Sequence, residues 1–583
     1  MTDTTVRPWL DTSLPVDERV DLLLAEMTLE EKAGLFFHTM IAIGDLDAPN
    51  PVFGTPSARE FVEVKRMSHF NLLGAAPTGR DIAAWHNALQ RLAASTRLGI
   101  PVTLSTDPRH SFSENPGAAI MAGPFSQWPE ALGLAAIGDE EVVERFADIA
   151  RQEYTAVGLR VALHPQIDLA TEPRWSRQVA TFGEDAELAG RLGAAYIRGF
   201  QGETFGHGSV ATMTKHFPGG GPQKDGEDPH FEYGREQVYP GDAFEHHLKP
   251  FEAAFEAGTR QIMPYYGMPI GTEFEEVGFG FNKSVITGLL RERFGFDGVV
   301  CTDWGLINDA EIFGHRFPAR AWGVEHLSPK ERMVKVLDAG ADQFGGEACP
   351  ELLLELVASG EVAEERLDVS ARRLLREKFE LGLFEDPYVD EETADETVGR
   401  ADFRAAGEAA QRASIAVLSN TGVLPLISGA KLYVEGIAAE AAARFGEVVD
   451  TPEEADAAIL RLQAPFEERG STFENFFHSG SLEFPAEVVA HVREIAALVP
   501  TVVDVLLDRP AILEPIVDAA AAVTANWGAS AAALLDVLTG AVEARGRLPF
   551  DVARSMAAVE ASRPDVPFDT ADPLFRFGHG LSL

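Results

Sequence analysis

The chain has 583 residues, which is too long for one ordinary hydrophobic core, so its length predicts two or three domains. Its 91 acidic and 49 basic residues give a net charge of −42, and such a charge repels nucleic-acid backbones and anionic membrane surfaces. A neutral small molecule is the class of partner that the composition favours.

Cysteine content and hydropathy further limit the class of protein to which the chain can belong. Cys301 and Cys349 are the only cysteines, so the sequence predicts neither a disulfide framework nor a cysteine-built metal site. The first residues lack the order of a secretion signal, and the longest small-apolar tract, 519–538, is interrupted by polar residues. We therefore expect a cytoplasmic protein without a membrane span, and self-association stays open.

From about residue 97 to 345, short β-branched runs alternate with longer segments whose apolar residues recur at helical spacing. The runs are IPVTLSTD, LRVALHPQIDLA, GSVATMTKHFPG, RQIMPYYGMP, FDGVVCTDWG and GADQFGG. This alternation predicts a parallel sheet, and a length of about 250 residues predicts a closed (β/α)8-type barrel. We assign residues 1–385 to a TIM-barrel-like catalytic domain.

Polar side chains stand where these strands should emerge from the barrel. They are Asp107, Asp168, Lys215, His216, Tyr266, Asp303 and Asp342. In an α/β barrel the carboxyl ends of the strands converge on one face, where active sites are built. The sequence therefore predicts a polar pocket at that face.

Asp303 follows an apolar run in GFDGVVCTDWGL, where an ionised carboxylate is costly unless something pairs with it. Two interpretations are open from this stretch alone. Asp303 could cap a following helix, or it could serve chemistry in the pocket.

The remainder of the chain predicts a second domain. An acidic stretch with a proline, residues 386–402, is interpreted as a linker. Beyond it the runs SIAVLSN, KLYVEG, AAILRL, TVVDVLL and AAVTANW alternate with Ala-rich helical segments. This pattern is typical of a doubly wound α/β domain, so residues 403–583 are expected to form an α/β sandwich domain.

Seven stretches in order resemble glycoside hydrolase family 3, the β-glucosidase and exo-β-glucanase group, over nearly the full length. They are LPVDERVDLLLAEMTLEEKAG, EPRWSRQVATFGED, TKHFPGGG, ITGLLRERFGFDGVVCTDWG, AAQRASIAVLSNTGVLPL, GRLPF and PLFRFGHGLSL. The resemblance implies a barrel followed by an α/β sandwich domain, as the periodicity also predicts. It further implies that Asp303 is the nucleophile of a retaining mechanism, which needs two carboxyl groups about 5 Å apart.

The resemblance also implies sugar-binding roles. Lys215 and His216 would bind ring hydroxyls, and their positive charge would keep Asp303 ionised. Asp107 would hold the distal hydroxyls of the sugar.

The resemblance leaves two alternatives open at each of two aromatic positions. Tyr266 matches the family's tyrosine near the nucleophile, although Tyr265 could be the matching residue. Trp304 would form an apolar wall for the sugar or pack in the barrel.

One position departs from the family pattern. The family commonly has Arg where this chain has Thr171, which is too short for the same sugar contact. Either Arg174 or Arg177 would then reach the sugar, or one hydroxyl is recognised differently. This departure affects the expected sugar more than the expected reaction.

The resemblance offers two different sources for the proton donor. Family members that act on N-acetylglucosaminides use an Asp–His pair in the loop after KHFPG. Here Gly220 and Pro222 stand at the matching positions, so this donor is expected to be absent, and His230 is interpreted as a loop or contact residue. Two-domain members use a Glu from the second domain instead. Glu467 and Glu468, in RLQAPFEERGSTFENFFHSG, are the candidates, and Glu474 is a weaker third.

The sequence thus predicts a retaining, exo-acting β-glycosidase that needs no cofactor or metal, with β-glucosidase as the first activity and a small glycoside or oligosaccharide as the partner. The alternatives are a β-xylosidase or other β-glycosidase, a phosphorylase, and a catalytically silent sugar-binding relative.

Overall fold

The computed structural model describes residues 7–51, 54–113, 118–312 and 315–583. Their first strands are β1 (Phe37–Ala42), β2 (His69–Leu73), β3 (Thr103–Thr106), β4 (Leu159–Ala162), β5 (Ala211–Phe217), β6 (Glu236–Val238), β7 (Gln261–Pro264), β8 (Met268–Ile270), β9 (Val299–Val300), β10 (Ala310–Ile312), β11 (His315–Phe317) and β12 (Phe344–Gly345).

The accompanying α-helices alternate with these strands. They are α1 (Val16–Glu26), α2 (Leu29–Leu35), α3 (Gly79–Ala94), α4 (Ala131–Ile137), α5 (Glu140–Ala156), α6 (Ala186–Gln201), α7 (Phe244–Glu256), α8 (Pro329–Ala339), α9 (Pro350–Ser359) and α10 (Glu364–Glu380). A π-helix, Ser284–Arg293, precedes β9. Within the described ranges, no helix has the length and apolar character needed to cross a membrane.

Eight parallel strands form the central sheet, in the order β12-β1-β2-β3-β4-β5-β7-β9. Its two end strands meet at a parallel bridge between Cys301 and Gln343, where the Thr302 backbone N–H donates to the Gln343 carbonyl at 3.0 Å. The sheet therefore curls round on itself, and the predicted barrel is confirmed. β1 and β2 were not among the predicted runs, because His38, His69 and Asn71 interrupt their apolar pattern.

The circular strand order determines which side chains face one another across the barrel mouth. β3 lies four strands away from β9 in either direction round the eight-stranded ring. Asp107, which follows β3, and Asp303, which follows β9, therefore stand on opposite sides of the mouth.

The segment expected to be a linker contains α11 (Glu391–Thr397), which packs against α3. Asn87 of α3 donates to the Val389 carbonyl at 2.8 Å and accepts from the Val389 N–H at 3.0 Å. Ala394 is fully buried. The acidic composition of residues 386–402 thus reflects the exposed side of a packed segment, which the composition alone did not reveal.

The second half of the chain forms a separate sheet. Its elements are α12 (Ala401–Ser414), β13 (Ala416–Asn420), β14 (Lys431–Glu435), α13 (Ala439–Ala442), β15 (Glu447–Val448), β16 (Ala457–Gln463), α14 (Ala486–Ala496), β17 (Thr501–Leu506), α15 (Glu514–Val517), β18 (Ala522–Asn526), α16 (Ala531–Leu538), β19 (Val552–Ala553), α17 (Met556–Ala561) and β20 (Pro573–Phe575). The strand order β13-β18-β17-β16-β14-β15 is parallel except for β13, as in doubly wound α/β domains. Separate apolar clusters cover its two faces.

Buried polar contacts join the two sheets. Glu184, just before α6, accepts hydrogen bonds from the backbone N–H groups of Asp551 and Phe568 in the second domain. The Arg509 guanidinium, fully buried in the second domain, donates to the Arg174 carbonyl of the barrel at 2.9 Å. Hydrogen bonds that are buried or partly buried therefore join the two domains.

We predict that Glu184→Ala lowers the free energy of unfolding by about 2–4 kcal/mol, because two buried N–H groups lose their acceptor and each costs about 1–3 kcal/mol. Chemical denaturation monitored by tryptophan fluorescence measures this loss. Glu187→Ala, at an exposed position of α6, is the matched control and should change stability little. Equal stability of the two variants would contradict the proposed importance of this contact.

Candidate active site

Asp303 lies directly beyond β9 and is only 7% exposed. No helix follows it in the described chain, since residues 304–309 are irregular and lead to β10, so the helix-cap interpretation is excluded. Its Oδ1 accepts from the Trp304 backbone N–H at 3.2 Å, whereas its Oδ2 has no hydrogen-bond partner among the described residues. One carboxylate oxygen is therefore available to another molecule.

The surroundings of Asp303 shift the pKa of its carboxyl in opposite directions. Burial raises the pKa of this carboxyl above its ordinary value. The neighbouring His230, Arg177 and Lys215 oppose that rise, the last two through their positive charge, and so does the Tyr266 hydroxyl. The nucleophile candidate depends on these neighbours to remain ionised.

The His216 imidazole faces Asp303. Its Nδ1 is 2.7 Å from Oδ2 of Asp168, and its Nε2 is 3.8 Å from Oδ2 of Asp303. Burial and the nearby Arg177 hold the pKa of His216 well below its usual range, so the ring is neutral and its Nδ1 carries the proton donated to Asp168. Nε2 is then an unpartnered acceptor that a sugar hydroxyl can use.

Asp168 organises this part of the site. Its Oδ1 accepts from the backbone N–H groups of His216 at 3.1 Å and Gly220 at 2.5 Å. Burial raises the pKa of Asp168 to about 6, against the opposing effect of these hydrogen bonds. The carboxylate thereby fixes both the imidazole and the start of the loop after β5.

Lys215 and Asp107 form an ion pair across the mouth of the barrel. Lys215 Nζ is 2.6 Å from Asp107 Oδ1, and the Asp107 side chain remains about a quarter exposed. The pair presents both a donor and an acceptor to the pocket, which suits the hydroxyls of a sugar.

The structure distinguishes the two tyrosines. The Tyr266 hydroxyl donates to the Trp304 carbonyl at 2.7 Å and accepts from the Trp304 N–H at 3.1 Å, so it lies beside Asp303. Tyr265 instead packs against His216, with ring centroids 4.6 Å apart. The Trp304 ring is partly buried and lies 5.5 Å from that of His38.

The two arginines near Thr171, Arg174 and Arg177, have different partners. Arg174 forms a bidentate pair with Glu172 at 2.9 and 3.0 Å, which occupies its guanidinium. Opposite charges that include Asp303 raise the pKa of Arg177. Thr171 donates its hydroxyl to the Pro564 carbonyl of the second domain at 2.6 Å. The structure thus favours Arg177 over Arg174 as the arginine of the sugar site.

Asp342 does not belong to the pocket, contrary to the expectation for a strand-end residue. It precedes β12 and is fully buried between Arg291 and Arg373, at 2.7 and 3.1 Å. A residue at the amino end of a barrel strand stabilises the fold rather than facing substrate. Glu347 follows β12 instead and accepts from Ile307 N at 2.8 Å, in the loop beyond Asp303.

The loop after KHFPG does contain an Asp–His pair, so the expectation that it lacks one is wrong. Asp228 Oδ1 is 2.6 Å from His230 Nδ1 and also accepts the His230 backbone N–H at 2.9 Å. The His230 ring lies 4.7 Å from that of Tyr266. The local pattern Asp-x-His in the sequence was the available signal.

The glutamate-bearing loop, residues 464–480, connects the second domain to this region. Glu467 turns back onto its own loop, where its carboxylate accepts from the Ser481 N–H at 3.2 Å. Glu474 is held by the Tyr233 hydroxyl at 3.2 Å and by Ser471. Glu468 is exposed, as Glu467 is, and no hydrogen bond or ion pair joins its carboxylate to another described residue.

Aromatic and ionic contacts hold this loop against the barrel. Phe477 packs on His230, with ring centroids 4.5 Å apart, and Phe473 packs on Phe231 at 5.8 Å. Arg469 pairs with Glu227 at 2.6 Å. The loop of the second domain therefore lies one side-chain layer from the nucleophile candidate.

Comparison of the sequence with protein-family models identifies the family of the chain. The N-terminal domain model of glycosyl hydrolase family 3 matches residues 72–377, and the C-terminal domain model of the same family matches residues 330–583. The chain belongs to glycosyl hydrolase family 3, and it is a glycoside hydrolase.

Individual relatives cover nearly the whole chain. A probable β-glucosidase C from Aspergillus flavus is 53% identical over 98% of this chain and 91% of its own length. A periplasmic β-glucosidase/β-xylosidase from Dickeya chrysanthemi is 43% identical over 99% and 92%.

Solved structures share the fold at lower identity. A β-glucosidase from Erythrobacter marinus has a TM-score of 0.79 at 22% identity and covers 98% of this chain and 84% of that one. An exo-1,3/1,4-β-glucanase from a Pseudoalteromonas species has a TM-score of 0.79 at 21% identity and covers 98% and 75%.

We predict that Lys215→Ala moves the acid limb of the kcat/KM profile to higher pH. The Lys215 ammonium lowers the pKa of Asp303, so its removal leaves the nucleophile protonated up to a higher pH. The maximum of kcat/KM should also fall about ten- to a hundredfold, as expected for a lost hydrogen bond from a charged donor. Lys224→Ala, at an exposed position, is the control. An unchanged acid limb with full activity would show that Lys215 is structural.

Proposed function

We propose that the chain is a retaining, exo-acting β-glycosidase, with β-glucosidase as its first activity. The observation that carries the proposal is the buried Asp303 carboxylate, whose Oδ2 is unpartnered and faces His216 Nε2 at 3.8 Å. The names of the relatives, which include β-glucosidases at 53% and 43% identity, support the same activity.

In the first step Asp303 attacks the anomeric carbon of the terminal sugar. The bond from that carbon to the aglycone oxygen breaks, a general acid protonates the departing oxygen, and a glycosyl ester forms on Asp303. In the second step the same group removes a proton from water, which attacks the anomeric carbon and releases Asp303. The position of Asp303 beyond a barrel strand keeps the carboxylate oriented for both steps.

The sugar would lie across the barrel mouth between Asp303 and Asp107. His216 Nε2 would accept a hydrogen bond from one ring hydroxyl, and Lys215 would donate a hydrogen bond to a hydroxyl oxygen. Asp107 would accept hydrogen bonds from the distal hydroxyls of the sugar. Hydrogen bonds of this kind favour catalysis when they are stronger in the transition state than in the ground state.

For the proton donor, the glutamates of the second domain remain the first proposal. Both are exposed, and Glu468 is favoured because its carboxylate is unpaired among the described residues, whereas Glu467 is bonded to its own loop. His230 is the alternative, since Asp228 orients its ring beside the nucleophile. Burial lowers the pKa of His230, which favours the neutral base of the second step over the acid of the first.

A β-xylosidase is the second candidate. One relative is named both a β-glucosidase and a β-xylosidase, and Thr171 replaces the arginine that the family commonly has. Rates on 4-nitrophenyl β-glucoside and β-xyloside decide between the two sugars.

We predict that Asp303→Asn abolishes turnover while the fold is retained, because the amide cannot form the glycosyl ester. A 2-fluoro sugar that traps the intermediate should label the peptide VVCTDWG, as read by mass spectrometry. Asp309→Asn, in the following loop, is the control and should keep its activity. Labelling of another carboxylate, or a variant with a tenth of the wild-type rate, would show that Asp303 is not the nucleophile.

We further predict that azide restores activity to Glu468→Ala on an activated aryl glycoside. Without the general acid/base, a good leaving group still departs, and the small anion replaces base-assisted water in the second step. The expected product is a β-glycosyl azide, and Glu467→Ala should behave nearly like wild type. Rescue of His230→Ala in place of Glu468→Ala would transfer the role to the Asp228–His230 pair.

A further inference from the structure

Glu347 is a buried carboxylate that the proposed reaction does not use. It lies shortly beyond β12 and is 5% exposed. Its Oε1 accepts from the backbone N–H groups of Ile307 at 2.8 Å and Asn308 at 3.1 Å, and its Oε2 accepts from the Asn308 side-chain amide at 2.7 Å. These hydrogen bonds compensate for the water that the carboxylate loses on burial. All of the donors belong to the loop that follows Asp303.

The segment that carries Asp303 lies along the end of β12. The Thr302 N–H donates to the Gln343 carbonyl at 3.0 Å, and the Gly345 N–H donates to the Thr302 hydroxyl at 2.9 Å. On the other side of Asp303, the Gly305 N–H donates to the Gly345 carbonyl at 3.0 Å. These bonds attach the chain to β12 directly before and after the nucleophile candidate.

Two glycines at this end of β12 leave room for the side chain next to Asp303. A Cβ atom on Gly345 would stand 2.6 Å from Cε3 of the Trp304 ring, and one on Gly346 would stand 2.7 Å from Cδ1 of the same ring. Both distances are too short for non-bonded carbon atoms, so glycine is required at each position. Gly345, Gly346 and Glu347 thus form one continuous support for the segment from Thr302 to Asn308.

The direction of the Asp303 carboxylate depends on this supported backbone. Within the described segment 302–308 the chain forms neither helix nor strand, so regular secondary structure does not hold it in place. The Trp304 N–H donates to Asp303 Oδ1 at 3.2 Å, while Oδ2 has no partner among the described residues. A displacement of about 1 Å in a reacting group can lower the rate about a hundredfold. The contacts that fix this backbone therefore act on the geometry of attack.

We propose that Glu347 is a positioning residue for Asp303. By holding Ile307 and Asn308 against the end of β12, it keeps the Asp303 carboxylate directed at the anomeric carbon, and it takes no part in bond cleavage itself. The proposal rests on the proposed β-glycosidase function and deepens it. Loss of Glu347 should slow the attack by Asp303 and leave sugar binding nearly unchanged, because the sugar-binding side chains stand at the ends of other strands, β3 and β5.

The first test compares catalysis with binding in Glu347→Ala, which removes the acceptor from two backbone N–H groups and one side-chain amide. We expect kcat/KM for 4-nitrophenyl β-glucoside to fall at least about tenfold, while the inhibition constant for glucose stays within about threefold of the wild-type value. Glu351→Ala, at an exposed position shortly after it in the chain, is the matched control and should change neither quantity. An unchanged kcat/KM, or a loss of glucose affinity as large as the loss of kcat/KM, would overturn the proposal.

A trapping experiment separates a misdirected nucleophile from an unfolded protein. With 2,4-dinitrophenyl 2-deoxy-2-fluoro-β-glucoside, dinitrophenolate leaves as the glycosyl ester forms on Asp303, so the burst amplitude counts competent sites and its rate constant measures the attack. Glu347→Ala should keep the wild-type amplitude with a rate constant at least about tenfold lower. A smaller amplitude at the wild-type rate constant would mean that Glu347 only stabilises the fold. A wild-type protein that gives no burst would instead refute the proposed function.

Exchange of the two interacting groups tests the contact even if Glu347→Ala does not fold. At mildly alkaline pH, Asn308→Asp places two ionised carboxylates where the amide now donates at 2.7 Å, so it should lower kcat/KM at least about tenfold. In Glu347→Gln/Asn308→Asp the amide and the carboxylate have changed places, and the amide oxygen can still accept from the Ile307 and Asn308 backbone N–H groups. This double variant should recover to within about threefold of wild type. A double variant no more active than Asn308→Asp would contradict the positioning role.

Discussion

The rest of the site depends on one constraint. The Asp303 carboxylate is buried, and one of its oxygens has no hydrogen-bond partner among the described residues. Desolvation alone would protonate the group and make it useless as a nucleophile. Arg177 and Lys215 supply compensating positive charge, and each comes from a different part of the barrel. A closed parallel barrel meets this requirement because it gathers the ends of distant strands on one face.

The second domain completes this environment from outside the barrel. The loop 464–480 packs Phe477 against His230, and Arg469 pairs with Glu227. Arg509 holds the base of the same loop to the Arg174 carbonyl. These contacts hold the loop that carries Glu467 and Glu468 against the barrel.

The two sides of the barrel mouth have different chemical tasks. The side of β9 presents a carboxylate oxygen and few other polar contacts, which suits bond cleavage. The side of β3 presents the Asp107–Lys215 pair. The Asp303 carboxylate and the Asp107–Lys215 pair therefore stand on opposite sides of the mouth, but the Lys215 ammonium still lowers the pKa of Asp303.

The sequence by itself determined the features that depend on local pattern. Strand and helix periodicity predicted the barrel and the second α/β domain, and the polar residues at the ends of β3, β5 and β9 predicted that Asp107, Lys215–His216 and Asp303 lie at one face of the barrel. These predictions hold because residues at the carboxyl ends of barrel strands must converge, whatever the loops do.

Tertiary structure alone decided the remainder. The turn of a long loop pairs Asp228 with His230, the path after β4 directs Arg177 rather than Arg174 to the nucleophile, and the start of β12 buries Asp342 on the opposite face. The exposure of Glu468 beside the bonded Glu467 likewise depends on how one domain packs on the other. Side-chain direction in a loop is set by contacts with residues far away in the chain, and those contacts leave no periodic signal in the sequence.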